Sequence, residues 1–332
     1  MTNRQQPTSG EDSLIARYFR PLATDPGAFG LVDDAAILRP SGDEIVVTTD
    51  AIVEGVHFLP DDPADTVARK ALRVNLSDLA AKGAVPAGFV VTLALRAQDD
   101  AWLAPFARAL GEDACLFACP LLGGDTVSTP GPVMISITAF GRVPPGQMVP
   151  RSGAKAGDRV VVTGTIGDAA LGLDILKRGA AAAALAQDAA ASRMLVDRYR
   201  VPQPRNALAH AVRDYASAAM DVSDGLAGDL AKLCAASRVS AVIDIKSIPL
   251  SAAAASLLAR AAVGIETLVS GGDDYEVLCT IPEASFEAFA RAAGLAGVAV
   301  ASIGTVIAGP TTPRFLDGQG EIALKRLSYS HF

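Results

Sequence analysis

Aspartates stand in short, separated motifs along this 332-residue chain: V-D-D-A-A (32–36), T-T-D (48–50), N-L-S-D (75–78), G-G-D-T (123–126), D-V-S-D-G (221–225) and G-G-D-D-Y-E (271–276). Asp50 and Asp221 each end an apolar run, Asp125 follows Leu121-Leu122 after two glycines, and Asp78 falls on the polar face of a helical pattern. Taken singly each has a plain structural reading, since Asp224-Gly225 has turn chemistry and surface carboxylates are common. Taken together they need a common reason. Asp is depleted in strand interiors, paired glycines before Asp125 and Asp273 let backbone approach a ligand, and strand-end loops are where α/β sheets collect ligand groups. Carboxylates that converge must have their repulsion offset by cations. Hard oxygen donors suit Mg²⁺, which bridges protein carboxylates to substrate phosphates. The chemistry indicated is metal-assisted phosphoryl transfer.

Other chemistries lack their residues. The chain has no G-x-x-x-x-G-K-[ST], no protein-kinase motif set, no G-x-S-x-G and no H-E-x-x-H. Gly164-Thr165-Ile166-Gly167 resembles the start of a dinucleotide fingerprint but fails its spacing, so it reads as a tight strand-to-helix turn. Cys115, Cys119, Cys234 and Cys279 are too few for a disulfide framework and have no partner pair for zinc, so they are expected to be buried thiols. A net charge of −7 with only 5% aromatic residues argues against a nucleic-acid-binding face. No apolar run reaches the roughly 18 residues of a membrane span, and Met1–Gly10 shows no signal-peptide core. A cytoplasmic enzyme is expected.

The elements that must position these residues are legible as alternating strands and helices. Half of the residues are hydrophobic and 20% charged, which supports a sizeable core in two domains. A capping box at Thr8-x-x-Glu11 opens a helix through Leu14, Ile15, Tyr18 and Phe19. Strands are expected at Ala35–Leu38, Glu44–Asp50, Phe89–Leu95, near Leu121 and at Val133–Phe140, with helices at Asp65–Gly83 and Asp100–Leu110. In the first helix Ala68, Leu72, Leu76, Leu79 and Ala80 form the apolar face, and Asn75, Asp78 and Lys82 the polar one. Prolines and glycines cluster over 143–157, which sets the expected domains at 1–148 and 149–332. The second domain is expected to hold strands at Arg159–Thr163, Ala218–Val222, Ala241–Ile245, Tyr275–Ile281 and Val298–Ile303. Its helices are expected at Asp168–Lys177, Gly225–Ala235, Ala252–Ala262 and Glu283–Ala293, with an alanine-rich exposed helix within Gly179–Ala191. The fold class is α/β or α+β.

The ordered set S-L-I-A-R-Y-F (13–19), D-D-A-A (33–36), T-T-D-A-I-V-E-G-V-H-F (48–58), K-A-L-R-V-N-L-S-D-L-A-A (70–81), G-G-D-T, R-S-G-A-K-A-G-D (151–158), S-D-G-L (223–226), G-G-D-D-Y-E and Y-S-H-F (329–332) resembles the thiamine-monophosphate kinase family. The resemblance implies ATP-dependent conversion of thiamine phosphate to thiamine diphosphate. It also implies the two-domain fold of aminoimidazole ribonucleotide synthetase, with N-terminal domains pairing in a homodimer. It places Mg²⁺ ligands at Asp34, Thr49, Asp50, Asp78, Asp125, Asp221 and Asp224, with a contact from Thr48. ATP contacts fall on Gly124, Asp125, Arg151 and Ser223, and thiamine phosphate contacts on His57, Asp273 and Tyr329. Asp224 and Arg151 are the residues on which catalysis is expected to depend. Arg151 is a fixed charge suited to phosphate, Tyr329 offers a ring face to a cationic thiazolium, and Asp273 favours a cationic ligand. His57 is a donor to the substrate phosphate on this reading, and a packed or surface residue otherwise.

Three positions depart from the family pattern: Val32 stands where Gly precedes the paired aspartates, Asp273 replaces a common Glu, and Lys82 replaces an apolar residue. Selenophosphate synthetase, of the same fold, wants a reactive Cys near the N-terminus, and none precedes Cys115. A synthetase of aminoimidazole ribonucleotide and a non-catalytic metal-binding protein are the remaining alternatives. ADP release that depends on thiamine phosphate separates a catalyst from a binding module.

Overall fold

A computed structural model describes residues 14–31, 38 and 42–328. The Thr8–Glu11 box, Asp34, Tyr329 and all but Leu38 of the strand expected at Ala35–Leu38 lie outside the described residues. The chain divides into two compact units, Met1–Asn75 with Pro86–Arg142, and Leu76–Val85 with Val143–Phe332.

In the first unit, Ile15–Phe19 forms a single wide π-type turn rather than a regular helix. The elements that follow are β1 (Glu44–Val53), α1 (Ala64–Ala81), β2 (Val85–Leu95), α2 (Asp100–Leu116), β3 (Leu121–Ser128) and β4 (Met134–Val143), the last turn and a half of α1 and the first residue of β2 belonging to the second unit. The strands form one sheet in the order β1-β4-β2-β3, with β2 and β3 parallel. Burial alternates strictly along β4, as a strand with one covered face requires. The Asp99 side chain caps α2 by accepting from the Ala101 N–H at 2.9 Å, and Leu103, Phe106 and Leu110 form its buried face.

The second unit runs β5 (Arg159–Thr163), α3 (Asp168–Leu176), α4 (Ala180–Ala184), α5 (Ala189–Arg200), α6 (Ala209–Tyr215), β6 (Ala218–Asp221), α7 (Leu226–Ser237), β7 (Val239–Asp244), α8 (Ala252–Ala259), α9 (Ile265–Val269), β8 (Val277–Ile281), α10 (Phe286–Leu295), β9 (Val300–Ala308), β10 (Arg314–Leu316) and β11 (Glu321–Ile322). Its sheet has the order β11-β10-β7-β9-β5-β8-β6, antiparallel at every pairing except β10 with β7. Strands β5 and β8 are buried along nearly their whole length because both faces are covered. Val160, Val162, Met220 and Leu278 pack under Leu226, Leu230 and Leu233 of α7. Val161, Ala219, Val277, Cys279 and Ile281 pack on the opposite side with Val212, Phe289 and Ala293. Each fully buried Val contributes about 1.5–3 kcal/mol.

The alanine-rich stretch is not one exposed helix. It breaks after Ala184, Asp188 caps the next helix by accepting from the Ala191 N–H at 3.0 Å, and Ala181 and Leu185 are buried in a satellite core with Leu195, Ala254 and Leu257. Helices α5, α6 and α9 and the small strands β10 and β11 were not anticipated from sequence.

Candidate functional site

In the second unit the two acidic loops are stitched together by their own backbones. The N–H of Val222 donates to Glu276 O, that of Tyr275 to Val222 O and that of Asp273 to Ser223 O, each at 2.8 Å. Gly272 is required by this close approach, since a Cβ there would lie 2.6 Å from Ser223 O. The residues between the loops are held in rare conformations: Asp273 and Tyr275 both have positive φ, at 71° and 50°. Such strain persists only where surrounding structure fixes it.

Two buried acids do the fixing. Glu276, wholly buried, accepts from Arg205 Nε at 2.6 Å and Nη2 at 2.5 Å, from Arg198 at 2.7 Å and from Thr163 Oγ1 at 2.6 Å. Asp274, 1% exposed, accepts from the Gly167 N–H at 2.8 Å. That N–H opens α3, so this helix start, which in a dinucleotide fold receives a phosphate, is filled by the chain's own carboxylate. The Gly164–Gly167 turn is therefore a strand-to-helix connection. Burial pushes the Asp274 pKa well above the carboxylate range, against the N–H bonds.

Asp221 ends β6, as expected, and is buried, its Oδ2 accepting from Ser77 Oγ at 2.8 Å. Asp78 is half-buried, one residue along from Ser77, and Lys82 is drawn inward to donate to Ala219 O at 2.6 Å. Burial and then the Arg151 charge pull the Lys82 pKa down, against Asp221 and Asp78. Lys82 is thus turned into the unit. Arg151 itself is exposed, and Ser223 and Asp224 are half-buried at the start of α7.

In the first unit Thr49, Asp50, Gly124 and Asp125 are exposed and Thr48 is half-buried. Neither aspartate is at a strand end. Asp50 is the seventh of ten residues in β1, and Asp125 is the fifth of eight in β3, opposite Thr92. Strand interiors accept them here because both strands are outermost in their sheet and both carboxylates face outward. Three strand spacings of about 4.8 Å separate β1 from β3, so the sheet does not bring Asp50 and Asp125 to one ion. Gly124 is needed for β2 to pass, since a Cβ would strike Val91 O. The Asp50 N–H is held by Asn75 Oδ1 at 3.1 Å, and Asn75 is wholly buried. Thr49 Oγ1 donates to Ile137 O at 3.2 Å and accepts from Thr138 at 3.0 Å. His57 lies in a turn, its Nδ1 accepting from the Val53 N–H at 3.1 Å. That bond places the proton of the neutral ring on Nε2.

Among the described residues no group of three or more His, Cys, Asp or Glu is arranged to hold a metal ion. The donor chemistry fits Mg²⁺ nonetheless. The outward-facing oxygens of Asp50, Asp125 and Asp224 are hard ligands, and Mg²⁺ is held by one or two carboxylates plus substrate phosphate rather than by an all-protein cage. No helix among the described residues is long and apolar enough to cross a membrane.

Residues 32–143 match the model of the AIR synthase related protein N-terminal domain, and 155–315 that of the C-terminal domain. The chain is 44% identical to a thiamine-monophosphate kinase of Caulobacter vibrioides across 96% of its own length and 89% of that protein. It belongs to the thiamine-monophosphate kinase family. A solved thiamine-monophosphate kinase from Stenotrophomonas maltophilia superposes with a TM-score of 0.82 at 37% identity, covering 94% of this chain and 96% of that one. AaThiL complexed with AMPPCP and TMP superposes with a TM-score of 0.75 at 27% identity, covering 92% and 97%.

Against the thiamine-monophosphate kinase pattern, sequence reasoning missed one pair of residues. Lys232 Nζ sits 2.5 Å from Asp224 Oδ2 and 2.8 Å from Asp229 Oδ1, and Asp229, wholly buried, accepts from the N–H groups of Asp224 and Gly225 at 3.0 and 3.2 Å. The signal was present as D-G-L-A-G-D-L-A-K (224–232), with Asp229 and Lys232 one helical turn apart.

Proposed function

We propose that this chain transfers the γ-phosphoryl group of ATP to thiamine phosphate, giving ADP and thiamine diphosphate, the last step in making that coenzyme. The observation that carries the reading is 44% identity to a thiamine-monophosphate kinase over nearly the whole chain.

The nucleophile is a phosphate monoester oxygen. Its second pKa is about 6, so it is ionised at pH 7 and needs no general base. Direct in-line transfer without a phosphorylated enzyme follows. Mg²⁺, when bound, neutralises charge on the two phosphate chains that must approach one another. The residues read as its ligands are Asp34, Thr48, Thr49, Asp50, Asp78, Asp125, Asp221 and Asp224. Arg151, an exposed and permanently charged guanidinium, suits a phosphate of ATP, whose other contacts fall on Gly124, Asp125 and Ser223. His57, carrying its proton on Nε2, donates to the substrate phosphate. Asp273, half-buried beside the sealed Asp274, accepts from the aminopyrimidine and favours the cationic ligand, and Tyr329 offers a ring face to the pyrimidine or thiazolium. The same reading includes a homodimer formed through the N-terminal domain (1–148), a C-terminal domain (149–332) and a cytoplasmic location.

The test is ADP release measured with thiamine phosphate, with thiamine and with no acceptor. Release is expected only with thiamine phosphate, and acceptor-independent release overturns the reading. Asp224→Asn is expected to lower turnover by about a thousandfold, with the fold intact by circular dichroism.

A further inference from the structure

We propose that Lys232 is the resident counter-ion of Asp224, holding its carboxylate until a divalent cation displaces it, and so setting how tightly the cation binds there. The inference rests on the reading of Asp224 as a metal ligand. Lys232 bridges two carboxylates that differ in access: the Asp224 side chain is 37% exposed, whereas that of Asp229 is sealed from solvent. Asp229 has its second oxygen committed to the backbone N–H groups of Asp224 and Gly225. It therefore anchors both the loop and the ammonium.

The Lys232 side chain is 40% exposed, on a flexible four-carbon stem. At 2.5 Å from Oδ2 the ammonium occupies the position from which an ion would approach that oxygen. A divalent cation at about 2.0–2.1 Å from the same oxygen would face a like charge across a few ångströms, so the two exclude each other. Asp229 gives the ammonium somewhere to stay. On metal entry Lys232 keeps its bond to Asp229, lets go of Asp224 and turns its freed N–H toward the anionic ligand that arrives with the metal. Lys232 acts through Asp224, as a positioning residue.

The experiment is Mn²⁺ binding to the full chain without nucleotide, followed by electron paramagnetic resonance, in the unaltered protein, Lys232→Met, Lys232→Arg, Asp229→Asn and the double variant Asp229→Asn/Lys232→Met. The double variant removes the buried acid with its partner and covers the case in which the single Met variant does not fold. Removing a like charge a few ångströms from a part-exposed site is expected to tighten Mn²⁺ binding by about tenfold in Lys232→Met over the unaltered chain, and in the double variant over Asp229→Asn alone, while Lys232→Arg keeps the unaltered affinity. Equal affinity within either pair overturns the inference. Adding Asp224→Asn to each background is expected to abolish the gain. Mn²⁺ binding indifferent to Asp224→Asn would instead overturn the ligand assignment beneath it, and the acceptor-dependent ADP assay stands apart from both results.

Discussion

The two units hold their outward aspartates by different means. In the first, Asp50 and Asp125 are residues of strands, and the ladder that pairs β3 with β2 fixes the Asp125 backbone. In the second, Asp224 and Asp273 stand in loops, and each outward acid has an inward one nearby. Asp229 binds the backbone at 224–225, and Asp274 plugs the start of α3 beside Asp273. Strand placement gives rigidity without further side chains. Loop placement needs buried charge, and buried charge needs partners. The difference teaches which acids hold the frame: Glu276 and Asp113, sealed and matched to arginine, do so, whereas Asp50 and Asp125 keep their carboxylates at the surface.

Substitution separates the two classes. Glu276→Gln, which strands Arg198 and Arg205, is expected to lose about 3–5 kcal/mol of stability in urea unfolding, and Asp113→Asn, facing Arg69 and Arg73 in the first unit, a similar amount. Asp125→Asn is expected to leave the urea midpoint where it is and to lower turnover about 10²–10³-fold. An inactive Asp125 variant that also unfolds early, or a Glu276 variant of full stability, would break the division between frame and site.

How much of this was legible in the sequence follows the range of the forces involved. The valine run at 159–163 and the apolar period of α1 are local, and both elements form where the pattern placed them. The partners of the polar face of α1 were not legible because they are distant in sequence: Asn75 holds the Asp50 N–H and Lys82 reaches Ala219 O. Asp125 was placed at a strand end because Asp is rare inside strands, a preference that yields at an outermost strand with its carboxylate in solvent. The glycines before Asp125 and Asp273 read from sequence as room for a ligand, and in the structure Gly124 and Gly272 also give room to the chain itself, at Val91 O and Ser223 O. The Lys232 bridge went unseen because its eight-residue step to Asp224 exists only once the loop has folded back on α7.

A smaller effect tests the plug at α3. Asp274 has a folded pKa raised above its unfolded value, so the folded chain holds the proton to higher pH. The stability belonging to the protonated form is complete below the unfolded value of about 3.9 and is lost as pH climbs toward the folded value. Asp274→Asn has no such proton to lose. Its melting temperature relative to the unaltered chain is expected to improve as pH rises above about 4, and a difference that does not move with pH would show that the helix start, rather than burial, decides the ionisation.

The smallest effect concerns thiols, and it compares the cores directly. Cys115 on α2 is exposed, contrary to the expectation of four buried thiols, whereas Cys119 in the first unit and Cys234 and Cys279 in the second are buried. Burial pushes Cys119 and Cys279 up to about 12 and Cys234 up to about 11. At pH 8 a thiol of pKa 12 is ionised to about one part in 10⁴, and the thiolate is the reactive form. A disulfide reagent is therefore expected to titrate one thiol rapidly in the native chain and four in denaturant, with the fast site lost in Cys115→Ser. Rapid reaction of a second thiol would locate an opening core, and modification of Cys234 or Cys279 would place that opening in the unit whose loops are braced by buried charge, the reverse of what the bracing implies.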